Sequence, residues 1–182
     1  MFQISYILLA LYIYVMYYNS IKTFSKGIFM RIDMHTHCLP VSGCAHHEPE
    51  LVPEFLKAAG IDAIVLTNHY CNWHCKKLGD TFEEQAKVYV DTYRRCKQKG
   101  ESIGVKVFFG AEIKLDKEVN APEFLLYGIS EELFLESYPL YNVSQKELFD
   151  FCEKNDIVMV QSHPYRSEQG YSPADMNYAH GV

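Results

Sequence analysis

After residue 30 the apolar positions follow two alternating rhythms. Short runs at Arg31–His35, Asp62–Thr67, Val105–Phe109, Phe124–Ile129 and Ile157–Gln161 are strand-length and nearly continuous in apolar residues, the pattern of strands covered on both faces. Between them apolar residues recur at helical spacing. Glu50–Ala59 predicts a helix with Leu51, Phe55, Leu56 and Ala59 on its inner face and Gly60 as its stop. Thr81 with Glu84 three residues on forms a capping box. The helix it opens points Phe82, Tyr89, Tyr93 and Cys96 inward and is expected to stop at Gly100. Ser144 with Glu147 makes a second capping box before a helix ending near Asn155. This alternation predicts an α/β domain over residues 30–182, built on a parallel sheet covered by helices, open or closed. A further strand is expected to begin at His180-Gly181-Val182.

Residues 1–29 do not share the rhythm. Phe2 to Tyr18 is apolar apart from Gln3 and Ser5, and Lys22, Lys26 and Arg31 follow it. Three readings compete. The segment is near the lower length limit for a membrane span of roughly 20 residues, and the basic residues after it would hold the body in the cytoplasm. A cleaved signal peptide fits less well, with no basic start and no Ala-x-Ala-like site. Met30 is also a plausible start in its own right, which would make the upstream stretch a start-site artefact.

Composition narrows the class. The 182 residues carry a formal charge of −6, and residues 31–182 carry −8. An acidic body argues against a broad nucleic-acid surface but not against a small phosphorylated substrate, because bound cations can dominate a local field. The six cysteines are scattered, unlike a disulfide framework, and fit a reduced cytoplasmic interior. Cys71-x-x-x-Cys75 beside His69 and His74 raises a zinc knuckle, though no second pair follows at finger spacing.

Four short pieces carry the chemistry: Asp33-Met34-His35-Thr36-His37, Thr67-Asn68-His69, Gly110-Ala111-Glu112 and Ser162-His163-Pro164. Each lies at or just past a predicted strand, where sites assemble in parallel α/β architectures. Residues two apart on a strand face the same side, about 6.5–7 Å apart, so His35 and His37 could chelate one ion or be two surface histidines. His69 reads equally as a ligand or as the cap of a turn. Glu112 follows two buried-type phenylalanines, where an acid is costly unless paired or bound to a cation. Arg166 could grip a phosphate through two hydrogen bonds, with Lys114 a weaker candidate. Neither a Gly-x-Ser-x-Gly nucleophile elbow nor a phosphate-cradling glycine loop is present.

In this order and spacing the pieces resemble the PHP (polymerase and histidinol phosphatase) family of metal-dependent phosphoesterases over about residues 31–182. The resemblance rests on Ile32-Asp33-Met34-His35-Thr36-His37, Thr67-Asn68-His69-Tyr70, Gly110-Ala111-Glu112-Ile113 and Gln161-Ser162-His163-Pro164-Tyr165-Arg166. It implies a distorted (β/α)7 barrel with two or three divalent ions (zinc, manganese or iron) at the strand ends. It implies ligation by His35, His37, His69 and His163, with Glu112 bridging, and catalysis centred on Glu112 and His163. It also implies a small phosphomonoester such as histidinol phosphate as substrate.

The chain departs from the family pattern in four places. Asn68 stands where the family usually has aspartate. The aspartate often found after the first histidine pair is replaced by Val41-Ser42-Gly43-Cys44, with Cys44, His46, His47 or Glu48 as possible substitutes. The histidine often opening the next strand is replaced by Glu123 or has no counterpart. The closing Asp-x-His is absent after residue 164, so the expectation is a barrel incomplete at its C-terminal end and weakened or inactive in this form. Two other readings stand beside a phosphatase: a nucleotide or oligonucleotide phosphoesterase, and a metal-binding module without turnover. A polymerase proofreading domain lacks any accompanying polymerase segment.

Overall fold

A computed structural model describes residues 29–118, 122–137, 139–166 and 173–182. The apolar segment 2–18, with Lys22 and Lys26, lies outside these residues. Among the described residues no helix is long and apolar enough to cross a membrane.

Six strands form the sheet: β1 (Ile32–Thr36), β2 (Ala63–Leu66), β3 (His69–Tyr70), β4 (Lys106–Lys114), β5 (Glu123–Tyr127) and β6 (Val158–Gln161). Among the described residues five α-helices accompany them: α1 (Leu51–Ala58), α2 (Asn72–Cys75), α3 (Phe82–Ile103), α4 (Glu131–Glu136) and α5 (Gln145–Lys154). The strand order is β1-β2-β4-β5-β6, with β3 also paired to β4. β2 is buried at all four positions, as an interior parallel strand should be.

The expected all-parallel sheet is not what forms. β1, β2, β3 and β4 run parallel, but β5 is antiparallel to both β4 and β6. The reason is connection length. Residues 115–122 join β4 to β5, and a parallel crossover takes about a dozen residues or more. β6 regains the direction of β4 after α4 and α5. Beyond it Gly181 forms a parallel bridge with Val160, in keeping with the strand start expected there.

The sheet is strongly curled. The Tyr127 hydroxyl of β5 donates to the Met34 carbonyl of β1 at 3.1 Å, although β2 and β4 lie between their strands. The two faces have separate tasks. On β4, Phe109 packs against Tyr89 and Tyr93 of α3 at ring distances of 5.9 and 5.0 Å, and Ala111 and Ile113 join the same core. Gly110, Glu112 and Lys114 alternate onto the opposite face.

Both predicted capping boxes form. The Thr81 hydroxyl accepts from the Glu84 N–H while the Glu84 carboxylate accepts from the Thr81 N–H. Ser144 and Glu147 do the same for α5. Two helix details differ from expectation. α3 passes Gly100 and ends at Gly104, whose φ of +79° is a left-handed cap. Gly100 instead allows close packing, since a Cβ there would meet Val107 Cγ2 at 2.5 Å and the Val105 carbonyl at 2.7 Å. α1 buries Val52 and Pro53 and leaves Leu51, Phe55 and Ala59 exposed. Glu50 binds Arg95 of α3 through two hydrogen bonds, which turns the Val52 side toward the core.

Gly110 marks the point where β4 passes from pairing with β2 to pairing with β5. A Cβ here would meet Val65 Cγ1 at 2.9 Å and the Leu126 carbonyl oxygen at 3.0 Å. Gly110→Ala should therefore lower unfolding free energy by about 1–3 kcal/mol, the usual cost of overpacking. Urea titration checks this, and a change within about 0.5 kcal/mol would show that the strands have room to part.

Candidate metal centre

The curl brings the four sequence pieces to one place. His35 is in β1 and His37 one residue past it, His69 opens β3, Glu112 lies within β4, and His163 follows β6. Glu112 is thus an in-strand residue, not one beyond a strand end; it pairs with His69 on one side and Leu125 on the other.

The Glu112 side chain is fully buried, and four imidazoles surround its carboxylate. Oε1 lies 3.2 Å from His35 Nε2 and 3.0 Å from His163 Nε2. Oε2 lies 2.8 Å from His69 Nδ1 and 3.4 Å from His37 Nε2. Glu123, also buried, places Oε2 3.4 Å from His163 Nε2. Burial pushes the Glu112 carboxyl up, but hydrogen bonds from His35 and His69 outweigh it and hold the group well below the usual carboxylate range. The same hydrogen bond to Glu112 raises His35 above its ordinary value. His37 is pushed down to about 4, by burial first and then by His69.

Neighbouring contacts set the His37 tautomer. Asn68, wholly buried, accepts at Oδ1 from the Cys38 N–H at 2.7 Å, and a backbone donor fixes which way that amide points. The Ser42 hydroxyl donates to the same Oδ1 at 2.9 Å. With its one proton committed, Ser42 Oγ accepts from the His69 N–H at 2.9 Å and from His37 Nδ1 at 3.2 Å. His37 therefore carries its proton on Nδ1 and turns a lone pair at Nε2 toward Glu112. Fixing a ligand's tautomer from outside in this way is a recurrent feature of metal sites. Asn68 is a positioning residue here, tying the loop after β1 to the start of β3.

This donor set fits divalent cations. Donors about 2.1 Å from a tetrahedral ion stand about 3.4 Å from one another, close to the separations around Glu112. Glu112 Oε2 is buried 2.8 Å from His69 Nδ1 and 3.4 Å from His37 Nε2, a grouping that one cation would serve. His35 and His37 point their Nε2 atoms at each other across 3.0 Å, an arrangement a shared cation would satisfy. Among the described residues three groups of donors are close enough to hold an ion: His35, His37 and Glu112; Glu112, Glu123 and His163; and His37, Cys44 and His69, the first and third being alternatives for the single unprotonated ring nitrogen of His37.

The structure sorts the open alternatives. Glu123 joins the cluster. Of the four residues offered for the loop after β1, Cys44 reaches it; His47 stacks on Phe55 at 4.4 Å, Glu48 pairs with Arg95 at 3.5 Å, and His46 is exposed. The zinc knuckle is not formed, because Cys71 and Cys75 are buried and join no donor cluster among the described residues. His74 instead stacks on His69 at 4.7 Å. Ser42 was not foreseen; a hydroxyl in a loop gives no sign that it will contact residues 26 and 27 positions away.

His163 has a φ of +32°. That conformation costs a non-glycine residue about 1–2 kcal/mol. It is held by the Ser162 N–H donating to the Glu123 carbonyl at 3.0 Å and by a turn in which the Arg166 N–H donates to the His163 carbonyl at 3.1 Å. Beside the cluster is a cleft of 380 Å³, with Lys114, Arg166, His69, Glu123, Trp73 and Cys44 among its walls. Both cations anticipated from sequence thus border the space next to the candidate ligands.

No protein-family model matches this sequence, and no curated protein is similar to it in sequence. Among solved structures, the chain is similar to a two-domain protein of Bacteroides vulgatus containing a predicted PHP-like metal-dependent phosphoesterase. The TM-score is 0.55 at 22% identity, covering 78% of this chain and 37% of that one. The chain therefore spans little more than a third of that protein's length. A proposed metal-dependent phosphoesterase of Bifidobacterium adolescentis matches with a TM-score of 0.49 at 12% identity, covering 82% and 73% of the respective chains. The fold is thus a curled α/β half-barrel like that of the Bacteroides protein, with a histidine–carboxylate cluster suited to divalent metal ions at its strand ends.

Proposed function

We propose that this chain is a PHP-type metal-dependent phosphoesterase acting on a small phosphomonoester. One observation carries the proposal: a fully buried carboxylate, Glu112, lies within 3.4 Å of ring nitrogens from four histidines brought together by β1, β3 and β6. Such a charge is costly to bury for stability alone, and its neighbours are the residue types that hold zinc, manganese or iron.

Divalent ions bound here would lower the pKa of water toward about 7 and polarise a phosphoryl oxygen. Glu112 would supply negative charge between them. His35, His37, His69 and His163 would fix their positions, and Glu123 would add a second carboxylate on the His163 side. Arg166 and Lys114 would draw the phosphate into the cleft and oppose the charge that builds on it. No protein nucleophile is needed.

The test is release of inorganic phosphate from a panel of small phosphomonoesters by the metal-loaded chain, with histidinol phosphate and nucleotides included. Turnover should appear with added divalent ion and vanish with chelator. Arg166→Ala should raise KM by about 10–100-fold, the worth of a charge-assisted hydrogen bond of about 1.5–3 kcal/mol. Stoichiometric metal without turnover on any ester would identify a binding module instead.

A further inference from the structure

Of the six cysteines, five are buried and Cys44 alone is exposed. It borders the cleft, and its Sγ lies within 4.8 Å of ligand atoms of both His37 and His69. The loop that carries it is braced on both sides. The Ser42 N–H donates to the Cys38 carbonyl and the Ala45 N–H to the Ser42 carbonyl, each at 3.0 Å. The Gly43 N–H donates to His74 Nδ1 at 3.3 Å, and that ring stacks on His69. Ser42 Oγ ties the loop to the backbone of His69 itself.

We propose that Cys44 is a thiolate ligand to the ion held by His37 and His69. The inference rests on the metal-centre reading above. In a tetrahedral zinc site with Zn–S about 2.3 Å and Zn–N about 2.1 Å, sulfur and nitrogen donors stand about 3.6 Å apart. The remaining approach would come from rotation of the Cys44 side chain, which is exposed on the braced loop. Two imidazoles and a thiolate make a soft set that favours zinc or cobalt over manganese. Glu112, Glu123 and His163, with two carboxylates and one imidazole, make a harder set. The centre is therefore chemically lopsided, with its sulfur donor on the cleft side.

The test uses the full chain loaded separately with Co(II) and Zn(II). The Co(II) form should show near-ultraviolet thiolate-to-metal charge transfer, and X-ray absorption of the Zn(II) form should show a sulfur neighbour at about 2.3 Å. Cys44→Ser should lose both signals and bind Zn(II) at least about 10–100-fold more weakly, since even outer partners of a metal site are worth that much. Cys71→Ser, which alters a buried cysteine of the same cleft, should keep both signals. Ions bound through nitrogen and oxygen alone in the unaltered chain would overturn the Cys44 assignment and leave the metal centre standing. A chain that takes up no divalent ion would overturn the metal centre itself.

Discussion

Glu112→Gln will leave the chain folded and remove its divalent metal, and with it any turnover. The amide has nearly the shape of the carboxylate, so the buried space in β4 stays filled. What changes is charge and acceptor capacity. An ionised carboxylate accepts on both oxygens, and here those oxygens face ring nitrogens from His35, His163, His69 and His37. Glutamine offers one acceptor and presents an NH2 group to nitrogens that must be unprotonated to bind a cation. Loss of an outer partner of a metal site costs about 10–100-fold in affinity or activity; loss of the central carboxylate should exceed that. Metal analysis after dialysis and a phosphate-release assay give the two readouts. Unchanged turnover would remove Glu112 from the reaction.

The same variant has a pH signature in chelator. The Glu112 carboxyl sits below its ordinary value of 4.5, so its contribution to stability is present above that pH and fades as the pH falls through the lowered folded value. His35 sits above its ordinary value of 6.5, so its contribution is present below that pH and fades as the pH rises through the raised folded value. Both are in force between about 4.5 and 6.5, and there the metal-free wild type should exceed Glu112→Gln in melting temperature by the widest margin.

What the sequence revealed and what it hid divides along a physical line. Local devices were legible. A capping box such as Thr81 with Glu84 closes within three residues, and its two hydrogen bonds need nothing from the rest of the fold. The metal candidates were legible because imidazole and carboxylate are expensive beside buried strands unless something binds them. Strand direction was not: the apolar run of β5 reads the same either way, and only the short 115–122 link reverses it. The inner face of α1 was ambiguous because Leu51–Phe55 and Val52–Leu56 both fit a helical stripe, and Glu50 with Arg95 of α3 decides between them. The Ser42–Asn68 clasp was hidden for a further reason. Its polar groups lie far apart in sequence, and small hydroxyls and amides carry no hydrophobic pattern.

The largest effect on stability should come from Phe134→Ala, far from any candidate ligand. Phe134 is the one buried residue of the six-residue helix α4. Its ring lies 4.7 Å from Tyr70, 4.7 Å from Tyr89 and 5.3 Å from Phe109, so a single side chain joins α4 to α3, β3 and β4. Deleting a buried phenylalanine typically costs about 3–5 kcal/mol, with the larger values where surroundings cannot collapse into the gap. Here the surroundings are rings anchored elsewhere. The Tyr89 hydroxyl bonds to the Asn68 and Gly110 carbonyls, which holds it in place and blocks collapse, so the upper half of that range is expected from denaturant titration in chelator. Phe134→Leu should recover much of the loss. Added zinc should stabilise both the wild type and Phe134→Ala, because an ion that binds only the folded chain does so by mass action; it should widen the deficit if loss of the ring loosens Tyr89, which bonds to the backbone just before His69 and to the strand carrying Glu112. A deficit of about 1 kcal/mol or less for Phe134→Ala would mean that α4 is not anchored through this ring and that the strand ends keep their places without it.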